Sequence, residues 1–393
     1  MIREKITQAI KILQEEKIDC WLTFVRESST TPDPAMDMIV GTGVTWHSAF
    51  IITAHGDTIA LVGSLDKANQ EDHKFYDKII GYVESIETPL IDILHQLDPK
   101  KIAVNYSLNS PAADGLTHGM HLQLQKYLKG SPFTDRLVSA ENILNKLRGR
   151  KSKSEIRHVK DAIGLTLKMF DNVSQFIRAG RTEREIARFL VDQVKDEGVR
   201  LAWDPDHCPA VFSGPDTAGA HAGPTDRKVE YGHVLNIDFG IQMNDYCSDL
   251  QRSWYIMKPG EINAPKEVIR GFSVIFESIS RAANNLKPGK KGYEIDDIAR
   301  SFIVKNGYEE YPHALGHQIG RSAHDGGGLL APHWERYGIL PDLPIEKDQL
   351  YTIEPRLPIS GHGIATIEEI VVITDTGCKF LSKRQTEISL IRP

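Results

Sequence analysis

The sequence predicts an α/β protein built from two domains. The chain has 393 residues, of which 40% are hydrophobic and 25% charged, enough for a large core that usually divides into domains. Helix-like and strand-like patterns alternate over residues 1 to about 130, and a weak internal repeat lies further along the chain. A basic, polar stretch separates the two regions. We therefore predict domains at 1–145 and 152–393.

The first domain is predicted to open with a helix and continue with short strands. In MIREKITQAIKILQEEKIDCW, apolar residues recur at helical spacing. The segment AFIITAHGDTIALVG indicates a β-hairpin, because His55-Gly56-Asp57 supplies turn residues between two apolar runs. Another short strand is expected at KIAVNYS. These elements form an α/β domain of their own.

The second domain is predicted to begin with a long helix after the stretch NKLRGRKSKSEIRH. Ser152 and Glu155 have the spacing of a capping box, which starts a helix. After them, apolar residues recur at steps of three and four, as expected for one buried helix face, at Ile156, Val159, Ile163, Leu167, Phe170, Val173 and Ile177.

Two segments of the second domain resemble each other. Residues 178–199 and 287–308 each have a Gly-containing basic loop, a helix with an IAR core and a Gly exit, with an insertion before IAR in the second copy. A duplicated α+β unit would place a cleft between the two halves. The alternative is that both segments are ordinary amphipathic helices with similar caps.

Composition disfavours several classes of function. The net charge is −6 and no basic run stands out, so we expect no nucleic-acid partner. The four cysteines are far apart and form no C-x-x-C pair, which argues against a zinc ribbon or disulfide framework and fits a reducing cytoplasm. We see no secretory signal, and no stretch of about 18 apolar residues predicts a membrane span.

The segment VLNIDFGIQMNDYCSDLQRSWY predicts two apolar strands, each of which carries an aspartate. With a tight turn at Met243-Asn244, Asp238 would face Asp249 across an antiparallel ladder, with Cβ atoms roughly 4.5–5.5 Å apart. Two anions so close in an apolar strand pair are costly unless a cation lies between them.

A second hairpin repeats this pattern in LYTIEPRLPISGHGIATIEEIVVIT. A turn centred on Gly361 would place Glu354 opposite Glu368. Two divalent ions would balance the four carboxylates of both hairpins, at the roughly 3.5–4 Å spacing of dinuclear sites. The alternative is an ordinary ion-pair network in which Arg252 or Arg356 neutralises part of the charge.

Histidine is the usual nitrogen ligand in such a centre. The segment YPHALGHQIGRSAHDGGG, between the two acidic hairpins, offers His313, His317 and His324 next to glycines that let a backbone approach closely. A single histidine is more often a core or surface residue, and spacing alone leaves open which of the three binds a metal.

At these residues the sequence resembles the pita-bread metallopeptidases, the family of Xaa-Pro aminopeptidases, Xaa-Pro dipeptidases (prolidases) and methionine aminopeptidases. The resemblance is strong over about 155–393, and the preceding domain resembles the creatinase-type N-terminal domain of the Xaa-Pro branch. It implies a C-terminal pita-bread domain with pseudo-twofold α+β halves. The five metal ligands of the family match, in order, Asp238, Asp249, His317, Glu354 and Glu368.

The resemblance also implies an activity. It predicts a metallopeptidase that hydrolyses Xaa-Pro bonds, at the N-terminus of peptides or in dipeptides, through a hydroxide bridging two divalent ions. Glu354 would shuttle the proton, and the substrate-side histidines of the family match His221, His313 and His324. Mostly oxygen ligands favour Mn²⁺, with Co²⁺, Fe²⁺ or Zn²⁺ also open. We expect peptide substrates with proline at the second position, and a cytoplasmic homodimer.

Some positions depart from the family pattern. Arg356 follows Glu-Pro where the family usually has Gly, and Thr366 stands where an Arg commonly precedes Ile-Glu. In one interpretation, Arg356 replaces on the neighbouring strand the arginine that commonly precedes Ile-Glu, and this would keep a positive charge near the carboxylates. The segment 326–342 is longer than the usual connection and is expected to line the substrate cleft.

Other functions remain open at this point. A metal-free creatinase-like C–N hydrolase and a non-catalytic peptide-binding module are both compatible with a pita-bread fold. The N-terminal domain disfavours a methionine aminopeptidase, whereas the choice between aminopeptidase and dipeptidase is not decided by the sequence.

Overall fold

The computed structural model describes residues 1–216 and 223–393. These residues divide into two units, Met1–Arg148 and Gly149–Pro393. Among the helices in the described part of the chain, none combines the length and the apolar character needed to cross a membrane.

The first unit contains a six-stranded mixed sheet with strands β1 Cys20–Val25, β2 Ser48–Thr53, β3 Thr58–Gly63, β4 Lys78–Tyr82, β5 Ile102–Val104 and β6 Leu137–Ser139. Their order in the sheet is β4-β3-β2-β1-β5-β6. Antiparallel pairing joins β1 to β2 and β2 to β3, and the other neighbours are parallel. Its α-helices are α1 Ile2–Glu16, α2 Met36–Ile39, α3 Ser64–His73, α4 Glu87–Leu97, α5 His118–Leu128 and α6 Glu141–Gly149, with 3₁₀ turns at Pro111–Ala113 and Thr134–Arg136.

Side-chain alternation along the strands of this sheet builds two separate cores. Trp21 and Phe50 pack with α1, α2 and α6 on one face. Leu22 and Ile51 pack with α4 and α5 on the other. Successive side chains of a strand point to opposite faces, so strands buried on both sides require helices on both sides.

The elements predicted for the first unit are confirmed. The N-terminal helix is α1, and its buried residues include Ile6, Ala9 and Leu13. The predicted hairpin is the β2–β3 pair, with Ile51 opposite Ile59. Its turn contains Gly56 at φ +104°, a conformation that favours glycine.

The second unit contains α7 Lys153–Phe176, α8 Glu183–Asp196, α9 Lys266–Asn285 and α10 Gly292–Lys305, with 3₁₀ turns at Glu335–Tyr337 and Leu340–Asp342. Its strands are β7 Arg200–Leu201, β8 Ala210–Ser213, β9 Val234–Phe239, β10 Ile241–Met243, β11 Tyr246–Cys247, β12 Leu250–Ile256, β13 Gly316–His317, β14 Leu329–Leu330, β15 Leu350–Ile353, β16 Arg356–Ile359, β17 Gly363–Thr366, β18 Glu369–Ile373, β19 Cys378–Phe380 and β20 Ser389–Ile391. The sheets have the orders β11-β10-β7, β20-β12-β9-β8, β13-β14, β15-β18-β19 and β16-β17.

The long helix α7 begins where the sequence predicts. The backbone N–H of Glu155 donates to Ser152 Oγ at 3.3 Å, and the backbone N–H of Ser152 donates to Glu155 Oε2 at 2.7 Å. This reciprocal pair satisfies two N–H groups at the helix start. The buried face of α7 includes the predicted residues Val159, Ile163, Phe170 and Val173.

The internal repeat is visible in the backbone, but without the predicted insertion. Helices α8 and α10 are both 14 residues long. At each helix start a glutamate accepts the backbone N–H of the N-cap residue, Glu185 Oε2 from Thr182 at 2.7 Å and Glu294 Oε2 from Lys291 at 2.8 Å. Gly180 and Gly289 precede the two helices with φ of +89° and +86°. Each of these glycines donates its N–H to a later strand-like segment, at Val229 O and Ile345 O. The shared caps therefore align the copies directly, and the two IAR triplets occupy different turns of their helices.

Candidate metal centre

The hairpin formed by β9 and β12 carries two of the predicted ligands, but in a register that differs from the prediction. The two turn residues are Asn244 and Asp245, with φ of +50° and +64°, so the turn lies one residue later than expected. As a result, Asp238 faces Gln251 across the ladder. The prediction that Asp238 directly faces Asp249 is wrong. Asp249 lies in the short break between β11 and β12.

The second hairpin has the predicted register. Ile353 pairs with Glu369 on one side of a break in the ladder, and Arg356 pairs with Thr366 on the other. Glu354 and Glu368 lie in this break, at positions that continue both ladder segments. A break in a ladder frees a side chain from the regular pleat, so both acidic hairpins present carboxylates at such an interruption.

His317 on β13 lies beside the acidic residues. Its Nε2 is 3.7 Å from Asp249 Oδ2 and 3.4 Å from Glu354 Oε1. Its Nδ1 lies 3.2 Å from the backbone carbonyl of Gln318, which can only accept a hydrogen bond. Nδ1 therefore carries the proton in the neutral ring, and the Nε2 lone pair faces the carboxylates.

The electrostatics of His317 favour that neutral form. Burial, reinforced by the neighbouring His324, lowers the pKa of His317 to about 3. The lone pair of a neutral imidazole and a carboxylate oxygen are both acceptors, so they form no hydrogen bond with each other. Both can bind the same metal ion.

The aspartates of the first hairpin are held close together. Asp238 and Asp249 lie within hydrogen-bonding reach of each other. Burial raises the pKa of Asp238 to about 7. Burial, together with the charges of Asp238 and Glu354, also raises the pKa of Asp249 well above its ordinary value. Without a cation, this pair resists full ionisation at neutral pH.

The glutamates of the second hairpin are fixed by a residue that the sequence reasoning did not identify. The buried Gln251 side chain donates from Nε2 to Glu354 Oε2 at 3.1 Å and to Glu368 Oε2 at 3.0 Å. Burial is the main reason that the pKa values of both glutamates are raised, and the charges of neighbouring carboxylates raise them further. The signal was available, because a turn at Asn244-Asp245 places Gln251 opposite Asp238.

The residues present fit a divalent metal centre. Asp249, His317 and Glu368 each offer one ligand atom, and these atoms lie within 4.8 Å of one another. Among the described residues, the buried oxygens Asp238 Oδ1 and Glu368 Oε1 have no hydrogen-bond partner. Buried carboxylate oxygens without donors are costly unless a cation binds them. Carboxylate oxygens with one imidazole form a donor set suited to Mn²⁺, Zn²⁺ and similar ions.

The three predicted substrate-side histidines have different outcomes. His324 is exposed, and its ring packs edge-on against His317 with centroids 4.2 Å apart. His313 precedes β13, with Nδ1 2.8 Å from Ala314 O and its ring 5.2 Å from that of Tyr311. His221 lies outside the described residues. A role in substrate contact stays a prediction for all three.

The arginines near the acidic hairpins have separate environments. Arg252 donates to Glu369 Oε2 at 3.2 Å and to the backbone carbonyl of Glu368 at 2.9 Å. It therefore holds the backbone that presents Glu368. Arg356 lies directly opposite Thr366, so the two positions that depart from the family pattern are cross-strand neighbours.

The segment 326–342 contacts the region around His313. The guanidinium carbon of Arg300 lies 5.1 Å from the centroid of the Trp334 ring. Arg336 donates to the backbone carbonyl of Pro312 at 2.7 Å. Arg300 in turn donates to the backbone carbonyl of His313 at 2.7 Å. An aromatic and cationic cluster thus joins this long segment to the chain that leads into His317.

Known proteins resemble this chain over both its sequence and its fold. It is 25% identical over 387 residues to an uncharacterised peptidase of Staphylococcus epidermidis, covering 96% of this chain and 99% of that protein. It is 30% identical over 249 residues to a Xaa-Pro dipeptidase of Pyrococcus furiosus, covering 63% of this chain and 67% of that protein.

A solved structure gives the same result. The crystal structure of an X-Pro aminopeptidase from Thermotoga maritima matches with a TM-score of 0.72 and 26% identity, over 98% of this chain and 99% of that one. The sequence model of metallopeptidase family M24 matches residues 157–375, which contain all five candidate ligands. The predicted resemblance to the pita-bread metallopeptidases is therefore confirmed, and the chain belongs to metallopeptidase family M24.

Proposed function

We propose that this M24 metallopeptidase uses two divalent metal ions to hydrolyse Xaa-Pro bonds in short peptides. The observation that carries the proposal is the convergence of Asp238, Asp249, His317, Glu354 and Glu368. The Nε2 of His317 lies within 3.7 Å of carboxylate oxygens from both acidic hairpins. Four buried or half-buried acids with raised pKa values at one place are the expected signature of a cation site.

The proposed division of roles follows from the contacts. Asp249, His317 and Glu368 would hold one ion, because their ligand atoms form one compact group. Asp238, which lies within hydrogen-bonding reach of Asp249, and Glu354 would bind a second ion together with shared carboxylates. When bound, the two ions would supply an acidified water as nucleophile and polarise the scissile carbonyl.

The protein itself would orient the carboxylates and move the proton. Gln251 fixes one oxygen of Glu354 and one of Glu368, and among the described residues the other oxygen of Glu368, Oε1, has no hydrogen-bond partner. Glu354 keeps partial exposure, so its Oε1 would accept a proton and deliver it to the leaving nitrogen. His324, exposed and packed on His317, would donate toward the carbonyl oxygen as it gains charge.

The choice of Xaa-Pro bonds is supported by named relatives. The Pyrococcus furiosus relative is a Xaa-Pro dipeptidase and the Thermotoga maritima structure is an X-Pro aminopeptidase. An Xaa-Pro bond is a tertiary amide without an N–H, and the proline ring fixes φ, so an enzyme must accept it by shape.

A panel of three peptides tests the proposal. Purified protein is stripped of metal, supplied with Mn²⁺, and assayed on Ala-Pro, Ala-Pro-Ala and Ala-Ala. We expect metal-dependent release of alanine from at least one proline peptide, at a rate well above that for Ala-Ala. Equal rates on all three, or rates unaffected by metal removal, would contradict it.

A further inference from the structure

The segment between α10 and β13 carries His313 and leads into the candidate metal centre. Residues 306–315, all within the described part of the chain, belong to neither a helix nor a strand. Glu354, a candidate ligand, donates its backbone N–H to the carbonyl of Leu315 at 2.7 Å, and β13 begins with the next residue. One side of the segment therefore lies against the backbone of the candidate centre.

A buried ion pair on α10 holds the other side of the segment. Arg300 binds Asp296 through two hydrogen bonds, with Nε 2.6 Å from Oδ2 and Nη2 2.8 Å from Oδ1. The same guanidinium donates to the backbone carbonyls of Tyr311 at 2.6 Å and of His313 at 2.7 Å. Asp296 Oδ1 accepts the backbone N–H of Leu315 at 3.1 Å. The pair thus fixes the backbone at three alternate residues, with His313 in the middle.

The pair also contacts the ring on which His313 packs. The guanidinium carbon of Arg300 lies 4.0 Å from the centroid of the Tyr311 ring, and Tyr311 OH donates to Asp296 Oδ1 at 3.5 Å. The centroids of the Tyr311 and His313 rings are 5.2 Å apart. Both the main chain and the ring environment of His313 therefore depend on Asp296 and Arg300.

The internal repeat indicates that a helix of this type forms without the ion pair. When α8 and α10 are aligned at their N-caps, the positions in α8 that are equivalent to the pair are Ala187 and Val191. The first copy nevertheless forms a helix of the same 14 residues. A buried ion pair adds little net stability, because desolvation of both charges offsets their attraction. What distinguishes the second copy is the fixed backbone around His313, in the half that supplies the histidine ligand.

We propose that Asp296 and Arg300 are positioning residues, which hold His313 where it contacts the peptide substrate. This inference rests on the proposed function and takes His313 as the substrate-side group that the family resemblance predicts. A misplacement of about 1 Å is enough to impair a group of this kind. The pair should therefore control the affinity for substrate through His313, while the metal ligands keep their ions.

The main test replaces the guanidinium of Arg300 by a single ammonium. Arg300→Lys keeps the charge but cannot bind Asp296 and two carbonyls with the same geometry. We expect KM for the preferred proline peptide to rise about 10-fold, with kcat within about 3-fold of wild type and the same content of Mn²⁺.

Arg281→Lys on α9 is the matched control for this substitution. Arg281 pairs with Glu277 at 2.9 Å with the same i,i+4 spacing, and its guanidinium carbon lies 4.3 Å from the centroid of the Phe302 ring. The control therefore loses an arginine with similar chemistry at another place in the unit. It should retain the wild-type KM and kcat.

A double-mutant cycle with His313 separates positioning from a purely structural role. His313→Ala should itself raise KM about 10-fold, and Arg300→Lys in that background should raise it less than about 2-fold further, because the positioned group is gone. Destabilisation alone lowers the amount of folded enzyme, which reduces kcat and leaves KM unchanged. Asp296→Asn, which keeps the side-chain shape, is a second variant for which KM should rise about 3-fold.

The inference is wrong if folded Arg300→Lys and Asp296→Asn keep the wild-type KM. A fall in kcat at unchanged KM would also overturn it, as would KM increases of Arg300→Lys and His313→Ala that multiply in the double variant. Circular dichroism and urea denaturation establish whether each variant is folded at the assay temperature. If neither variant of the pair folds, the pair is a structural element and the inference fails.

A histidine resonance separates this inference from the proposed function. NMR of protein with isotope-labelled histidine requires no turnover, and the signal missing from His313→Ala identifies His313 among the 15 histidines. If no Xaa-Pro peptide is hydrolysed but this signal shifts in Arg300→Lys and not in Arg281→Lys, the proposed function fails and the positioning of His313 stands. If hydrolysis occurs and neither the signal nor KM depends on Arg300, the function stands and the inference is wrong.

Discussion

Asp238 faces Gln251 across the β9–β12 ladder, and this pairing organises the candidate centre. The amide of Gln251 reaches both glutamates of the second acidic hairpin, with donor–acceptor distances of 3.1 and 3.0 Å. A neutral donor at this place satisfies one oxygen of each glutamate without competing for the cation. The two hairpins are therefore linked through a residue that is not itself a metal ligand.

Replacing Gln251 should impair turnover more than folding. Gln251→Ala leaves Glu354 and Glu368 without their shared donor, so we expect kcat on the preferred peptide to fall about 10- to 100-fold, as for other residues that orient metal ligands. Gln242→Ala is the matched control, because Gln242 donates to the backbone carbonyl of Arg321 at 2.8 Å and not to Glu354 or Glu368. Steady-state kinetics of both variants check the prediction, and equal losses in the two would contradict it.

His324 is expected to act on the substrate and not on the metal. Removal of a donor aimed at a developing charge costs about 10²- to 10³-fold in kcat. We therefore expect His324→Ala to lose activity by that factor while it binds as much Mn²⁺ as wild type. His118→Ala, which removes an exposed histidine at the start of α5 in the first unit, should retain its rate. Loss of bound metal from His324→Ala would show that His324 is instead needed to hold the ion.

The metal should matter more for stability as pH rises. Burial raises the folded-state pKa of Asp238 to about 7 and raises the pKa of Asp249, Glu354 and Glu368. An acid whose pKa is raised in the folded state contributes to the free energy of unfolding below its unfolded pKa of about 4. This contribution is lost as the pH rises through the folded pKa.

His317 has the opposite dependence. Its folded pKa is lowered to about 3, so its contribution is present above the unfolded pKa of about 6.5 and is lost toward acid pH. Bound cations cancel the cost of four ionised acids. We expect EDTA to lower Tm little at pH 5 and increasingly up to pH 8, as measured by calorimetry with and without Mn²⁺. An EDTA effect that is constant or shrinks with pH would contradict this.

A buried ion pair supports the loop that carries His324. Lys151 Nζ lies 3.2 Å from Asp325 Oδ2, with side-chain exposures of 0% and 4%. Lys151→Met would leave the Asp325 carboxylate buried without this partner, so we expect a loss of about 3–5 kcal/mol in the free energy of unfolding.

The exposed pair Lys195–Asp192, at 3.4 Å, provides the control for that change. Lys195→Met should alter stability by about 0–1 kcal/mol. Urea denaturation of both variants measures the difference, and similar stabilities would contradict a structural role for the buried pair.

The sequence predicted the elements whose signals are local. The capping box at Ser152 and Glu155, the β2–β3 hairpin and the register around Gly361 depend on neighbouring residues, and all are confirmed. The five ligands were assigned by resemblance, and the contacts of His317 connect it to both acidic hairpins.

The wrong predictions arose where moving a turn by one residue changes which residues pair across the strands. Placing the turn at Met243-Asn244 moved the register, although Asn244 and Asp245 are the residues that tolerate positive φ. Gln251 was missed because the misplaced turn set Asp249, and not Gln251, opposite Asp238. An insertion was predicted because the two IAR triplets were aligned with each other. The helix caps and the glycines before them show instead which turns of α8 and α10 are equivalent.

The metal content of Asp249→Asn tests the central claim most directly. Asp249 lies 3.7 Å from His317 Nε2 and within hydrogen-bonding reach of Asp238, so its carboxylate would serve both ions. Mass spectrometry of protein dialysed against Mn²⁺ should find about two ions per wild-type chain and at most about one in Asp249→Asn, with Ala-Pro hydrolysis reduced by more than about 10³-fold. A variant that keeps two ions and the wild-type rate would contradict the account.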